Sequence, residues 1–109
     1  MKKKIYICGP MTGHKDFNFP AFMKCAKHFE QLGHTVFNPA QMDIDIDGID
    51  GMGKTGSEEM PDMKKIIKRD LLAIIECDAI YMMSGWWHSV GAFAEHAIAV
   101  WLKLEIIYE

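Results

Sequence analysis

The chain lacks any apolar run approaching the roughly 20 residues that a bilayer span needs. Its basic start, Met1 to Lys4, passes straight into Ile5-Tyr6-Ile7-Cys8 with no apolar signal segment or cleavage site. Those absences argue against a membrane protein and set the expectation of a cytoplasmic one. Cysteine is scarce too. Cys8, Cys25 and Cys77 are odd in number and show no Cys-x-x-Cys spacing, so neither a disulfide framework nor a zinc knuckle is expected. Cys8 and Cys77 stand in apolar stretches and read as small hydrophobes without a functional role. There is no excess of positive charge: 12 Lys and Arg against 15 Asp and Glu give a formal charge of -3. Only Met1–Lys4 and Lys64–Arg69 cluster cations, which leaves no footprint for a nucleic-acid polymer. What is present is a core. With 50% hydrophobic and 25% charged residues over 109 positions, one globular domain spanning 1–109 is expected.

Lys4 to Cys8 reads as a short strand closed by the turn Gly9-Pro10-Met11-Thr12-Gly13. Phe22, Ala26 and Phe29 recur at helical spacing between Pro20 and Leu32, and Gly33 suits the C-cap. Thr35-Val36-Phe37 makes a second strand ending at Asn38-Pro39. From Ala40 to about Asp62 no helical period is visible, and this stretch is expected to be a long loop. Asp62 is placed to cap a helix from Met63 to Glu76, and Ala79 to Met83 reads as a strand. Ser84 to His88 reads as a loop, Ser89 as the cap of a helix running to about Lys103, and Glu105 to Tyr108 as the closing strand. Strands without polar alternation, interleaved with helices, predict an α/β domain: a parallel sheet of about four strands with helices on both faces. In such sheets ligands bind beyond the carboxyl ends of the strands where strand order reverses. Here that edge carries Gly9–Asp16 and Ser84–Ser89.

Two motifs in the long loop are decoys. Gly48 to Thr55 satisfies G-x-x-x-x-G-K-T, yet it follows an Asp-rich stretch instead of a buried strand, and Gly56, Ser57 and Pro61 follow it instead of a helix. Asp43, Asp45, Asp47 and Gly48 fit the first half of a calcium loop, but Lys54 stands where a bidentate Glu is required. A solvated flexible loop is the expectation, with weak divalent-ion binding by these carboxylates left open; no metal site and no cofactor are assigned.

Two carboxylates fall on apolar helix faces. At 100° per residue, Lys64, Lys65, Lys68, Arg69 and Glu76 share one side of the 63–76 helix, while Asp70 sits among Ile66, Ile67, Ala73 and Ile74. On the last helix Glu95 has Gly91, Ala92, Ile98 and Ala99 one turn away, with His96 and Lys103 marking the solvent side. An ionised carboxylate in such surroundings needs a ligand or partner. One such residue has an even chance of being merely structural, but a pair on adjacent helices points to a site. Ser89 opens the Glu95 helix, whose free amides and dipole suit a phosphate, and Gly91 lets a ligand approach the backbone. Trp86 and Trp87 stand beside this site, where an indole has the shape to stack on a base or to pack at an interface; His88 is given no role. A glycine-rich turn, a phosphate seat, an aromatic loop and two carboxylates together suit cleavage of a glycosidic bond.

The segments Tyr6-Ile-Cys-Gly-Pro-Met-Thr-Gly13, Arg69-Asp70 with Cys77-Asp78-Ala-Ile-Tyr, and Ser89-Val-Gly-Ala-Phe-Ala-Glu95 resemble the nucleoside 2-deoxyribosyltransferase superfamily, and in particular its 2′-deoxynucleoside 5′-phosphate N-hydrolase branch. The resemblance implies a Rossmann/flavodoxin-like fold and an enzyme of N-glycosidase or deoxyribosyltransferase type. In it Glu95 attacks C1′ of the sugar, Asp70 lies near the sugar hydroxyl and departing base, and Tyr6 orients Glu95. Gly9, Pro10, Met11 and Thr12 correspond to the substrate loop. Members acting on free nucleosides carry Asp six positions before the nucleophile; Ser89 stands there, as in the phosphate-accepting hydrolases, which implies a 5′-monophosphate substrate. The resemblance also implies a homodimer or larger homo-oligomer, to which the apolar Trp101 and Leu72 would contribute. Two other classes stay open: a non-catalytic nucleotide-binding or sensing module on the same fold, and a phosphate-binding NTPase acting through Lys54.

Overall fold

A computed structural model describes residues 2–60 and 62–109; Met1 of the basic start and Pro61 near the end of the expected loop lie outside the described residues. Strands β1 (Lys4–Cys8), β2 (Thr35–Phe37), β3 (Ala79–Met82) and β4 (Glu105–Tyr108) form one sheet in the order β2-β1-β3-β4. All three pairings are parallel, with Lys4 opposite Thr35, Ile5 opposite Ala79, and Ala79 opposite Glu105. Helix α1 (Phe19–Gln31) connects β1 to β2, and α4 (Val90–Trp101) connects β3 to β4. Between β2 and β3 run α2 (Pro39–Asp47) and α3 (Met63–Glu76). The expected α/β class and four-stranded parallel sheet are both observed.

Successive strand residues point to opposite faces, and this splits the core in two. Tyr6, Cys8, Ile80 and Met82 pack with Ala73 and Ile74 of α3 and Ala92 and Ala99 of α4. Ile5, Ile7 and Ala79 pack on the other face with Phe17, just before α1, and with Phe19 and Phe22 at its start. Tyr6 therefore projects its hydroxyl toward the α3/α4 side. Strand order reverses between β1 and β3, so the crevice opens beyond Cys8 and Met82. There Gly9 passes so close to Met83 that a Cβ would lie 2.9 Å from its side chain. Only glycine fits that approach.

Three expectations need correction. The stretch after Pro39 is not all loop: α2 begins with Asn38, whose side chain accepts from the Ala40 amide at 3.0 Å, and ends at Gly48 in the left-handed region. Asp62 precedes α3 but makes no side-chain cap; its own backbone is left-handed, with φ of 50°. Trp86–His88 form a single 3-10 turn inside the expected loop.

The remaining segment is tied down. Gly13 donates to the Gly56 carbonyl at 2.8 Å, Asp16 to the Lys54 carbonyl at 2.7 Å, and the Gly53 amide to Asp16 Oδ1 at 2.7 Å. Asp16, Phe17 and Asn18 are consecutively left-handed, an unfavourable backbone for such residues. Asn18 stabilises the turn by donating to the Pro10 carbonyl at 2.9 Å. Among the described residues, no helix is long and apolar enough to cross a membrane.

Candidate active site

A cleft of about 690 Å³, counting the solvent space at its open mouth, lies at the switch point. Tyr6, Gly9, Met11, Thr12, Asp70, Ser89, Gly91 and Glu95 all line it. The structure thus brings together eight of the ten residues singled out from the sequence.

Glu95 holds the inner end. It lies on α4 facing β1, where Tyr6 Oη donates to its Oε2 at 2.8 Å and Cys8 Sγ to its Oε1 at 3.4 Å. Cys8 Sγ also lies 3.5 Å from the Ala92 carbonyl. Burial raises the carboxyl and the charge of Asp70 raises it further, while the two donors partly offset this, leaving Glu95 at about 7. Burial and the neighbouring Glu95 push the Tyr6 hydroxyl and the Cys8 thiol well above their ordinary values. Both are therefore held as donors, and Glu95 is a carboxylate poised near neutrality.

The second carboxylate is differently housed. Asp70 Oδ1 accepts from Arg69 Nε at 3.0 Å and Nη2 at 2.7 Å. Arg69 Nη1 donates to Asp47 Oδ2 at 2.6 Å, and Nη2 stands 2.7 Å from Asp43 Oδ1. Lys65 adds a contact to Asp47 at 3.2 Å. Burial raises the Asp70 carboxyl, with Arg69 and then the Tyr6 hydroxyl opposing the rise. Arg69, expected on the solvent side of its helix, is thus nearly buried among three carboxylates. Asp43, expected in a solvated loop, is buried on α2 and faces the cleft. Their signals in the sequence were the Asn38-Pro39 helix start and the Arg-Asp pair; a helical wheel of α3 alone cannot show that α2 covers Arg69. Among the described residues no three His, Cys, Asp or Glu side chains converge as a metal ligand set.

Ser89 caps α4, its Oγ accepting from the Ala92 amide at 3.2 Å. The Val90 and Gly91 amides precede the first intrahelical bonds, and nothing lies within 4 Å of where a Gly91 Cβ would stand. This end of the cleft is open and donor-rich. Two expected residues are not on it. Pro10 is buried and uses its carbonyl for Asn18. Trp86 packs away from the cleft, stacked on His96 at 4.2 Å and near Phe93 at 5.9 Å. His96 in turn bonds Tyr108 Oη at 2.9 Å on the exposed side, so it joins a surface aromatic cluster. Trp87 lies edge-on to Trp86, and His88 does not reach the cleft. The walls the sequence reading missed are apolar: Phe17, Phe22, Pro39, Met60, Met63, Ile66 and Ile67.

The P-loop pattern is not a phosphate cradle. It follows α2, and its amides are already engaged: Gly53 by Asp16, Lys54 by the Gly51 carbonyl, Thr55 and Gly56 by Glu58 at 3.1 and 2.9 Å. Those amide bonds hold the Glu58 carboxyl down at about 2.

The fold is shared with a solved deoxyribosyltransferase. The chain is similar to the solved structure of a 2-deoxyribosyltransferase from the psychrotolerant bacterium Bacillus psychrosaccharolyticus, with a TM-score of 0.69 and 19% identity over 96% of this chain and 70% of that one. Its sequence matches the model of a domain of unknown function, DUF4406, over residues 3–108, and the chain belongs to that family. No curated protein matches it in sequence.

Proposed function

We propose that the protein cleaves, or transfers at, the N-glycosidic bond of a small deoxynucleotide, with a 5′-monophosphate as the substrate. The observation that carries this reading is Glu95, desolvated at the cleft's inner end, held by Tyr6 at 2.8 Å and sharing that cleft with Asp70 and the start of α4. The Glu95 carboxylate attacks C1′ and the C1′–N bond breaks, its electron pair leaving with the base, which takes up a proton. Water or a second base then attacks C1′ of the glycosyl ester and releases Glu95. Tyr6 and Cys8 fix the attacking group by engaging one oxygen each. Arg69 occupies only Oδ1 of Asp70, leaving Oδ2 for the sugar hydroxyl or departing base. Ser89 and the Val90 and Gly91 amides supply uncharged donors and a positive dipole end for the phosphate.

The apolar outer face of α4, with Val90 90% and Trp101 79% exposed, and Leu72 of α3 support assembly as a homo-oligomer. Sedimentation velocity reads this directly, and a monomer at micromolar concentration removes that part of the reading.

The central test incubates the protein with deoxynucleoside 5′-monophosphates and the matching nucleosides and follows free base by chromatography. Base released from the monophosphates and lost in Glu95→Ala supports the reading. Nucleotide binding without release makes the protein a non-catalytic binding module.

A further inference from the structure

One cleft residue has no assigned part in this chemistry. Asp43 is 1% exposed and lines the cleft, yet among the described residues its Oδ2 has no hydrogen-bond partner. Arg69 Nη2, which donates to Asp70 Oδ1 at 2.7 Å, also stands 2.7 Å from Asp43 Oδ1 and engages that oxygen, which leaves Oδ2 open. A buried acceptor without a donor costs free energy that a ligand's N–H relieves. The guanidinium favours the ionised form, in which a carboxylate only accepts.

Position says which part of the ligand meets it. Asp43 and Asp70 flank the same guanidinium, and Asp70 is the one that acts on Glu95 and Tyr6. The carboxylates thus run Glu95, Asp70, Asp43. With C1′ at Glu95, Asp43 lies at the base. The cleft's walls include Phe17, Phe22, Pro39, Met60 and Ile66, which are apolar and offer a flat ring burial.

We propose that Asp43 selects the base, its carboxylate accepting from two adjacent N–H groups, which makes a guanine-type edge the preferred ligand. Guanine presents its ring N1–H beside its exocyclic amino group. Adenine and cytosine place one donor next to an acceptor, and thymine flanks its single N–H with two carbonyls that a carboxylate repels. The inference rests on the cleft holding a nucleotide as read above, and it concerns discrimination, which binding alone can report.

The test measures Kd by tryptophan fluorescence or calorimetry, and base release in parallel, for the 5′-monophosphates of deoxyguanosine, deoxyinosine, deoxyadenosine, deoxycytidine and thymidine. For the wild-type protein we expect deoxyguanosine monophosphate to bind at least about tenfold more tightly than thymidine monophosphate. The inosine compound, lacking the exocyclic amino group, should lose several-fold. Asp43→Asn, which offers one acceptor and one donor, should erase that order and favour the adenine and cytosine compounds. Equal affinity for the guanine and hypoxanthine compounds in the wild type overturns the proposal without any variant, as does an unchanged order in a folded Asp43→Asn protein. If that variant does not fold, Asp43→Ser serves in its place. Selective binding without base release upholds the base-reading role while removing the catalytic one. Release without base preference does the reverse, and no nucleotide binding removes both.

Discussion

Glu95 is surrounded by neutral donors, whereas Asp43, Asp47 and Asp70 surround a guanidinium, and the two arrangements meet in one cleft. At the first, burial dominates and the carboxyl rises from 4.5 to about 7. At the second, burial lifts Asp43 to about 6 against the opposing pull of Arg69, and that pull is what a buried carboxylate needs to keep its charge. The proposed nucleophile gains from the first setting, since a bound cation would quench its charge. Groups that must stay put gain from the second.

The sharpest way to break this comparison is Glu95→Gln. Base release should fall at least about a thousandfold, as for loss of a nucleophile. Stability should move the opposite way. Because the folded-state value of Glu95 lies above the ordinary 4.5, the native protein holds a proton that the unfolded chain has released, so stability falls as pH rises from about 4.5 to 7. The neutral amide escapes that loss. Thermal melts should show the variant more stable than wild type by several degrees at pH 8 and by little at pH 4; equal shifts at both would contradict the stated environment.

Arg69→Met tests the other side. It leaves three carboxylates facing one another, two of them nearly buried, and should cost about 3–5 kcal/mol, as for a broken buried pair. Urea unfolding checks this, and a loss below about 1 kcal/mol would mean that the carboxylates simply protonate. Tyr6→Phe is a smaller intervention. It removes a hydrogen bond that lowers Glu95, so the acidic limb of kcat/KM should move above pH 7 while kcat drops about tenfold. A limb that stays in place would separate Tyr6 from Glu95 ionisation. Gly91→Ala should have the mildest effect, weakening 5′-monophosphates several-fold by filling the open space at α4's start. It should add up to about 0.5–1 kcal/mol of stability through helix propensity. Equal weakening of free nucleosides would argue against a phosphate seat there.

Most of the fold was legible because β1, β3, α3 and α4 announce themselves in period and caps. Helix α2 was not, since Met42, Ile44 and Ile46 alternate with Asp43, Asp45 and Asp47 and mask the 3.6-residue period. Its real signals were local: Asn38 as cap, Pro39 in the first turn and Gly48 after the last. Missing α2 also hid the partners of Arg69. Glu95 and Asp70 were legible as carboxylates on apolar faces, and Tyr6 only through resemblance. Cys8 was set aside because an apolar strand normally buries an inert thiol; that its Sγ reaches Glu95 depends on the pairing of β1 with α4. Trp86 misled because position beside a cleft does not give direction, and the indole found His96 instead.

Ser89 and Glu95 ride on a single unbroken helix, so the rise between them, about 9 Å, is set by covalent geometry and not by how the domain packs. The cleft therefore carries its own length standard. One residue inserted between those positions would displace Glu95 by about 1.5 Å and swing it by about 100° out of the cleft. The 48–60 segment is held otherwise, by separate ties at Gly53, Lys54 and Gly56. Along α4, descendants of this chain can change their ligand only by exchanging side chains in place.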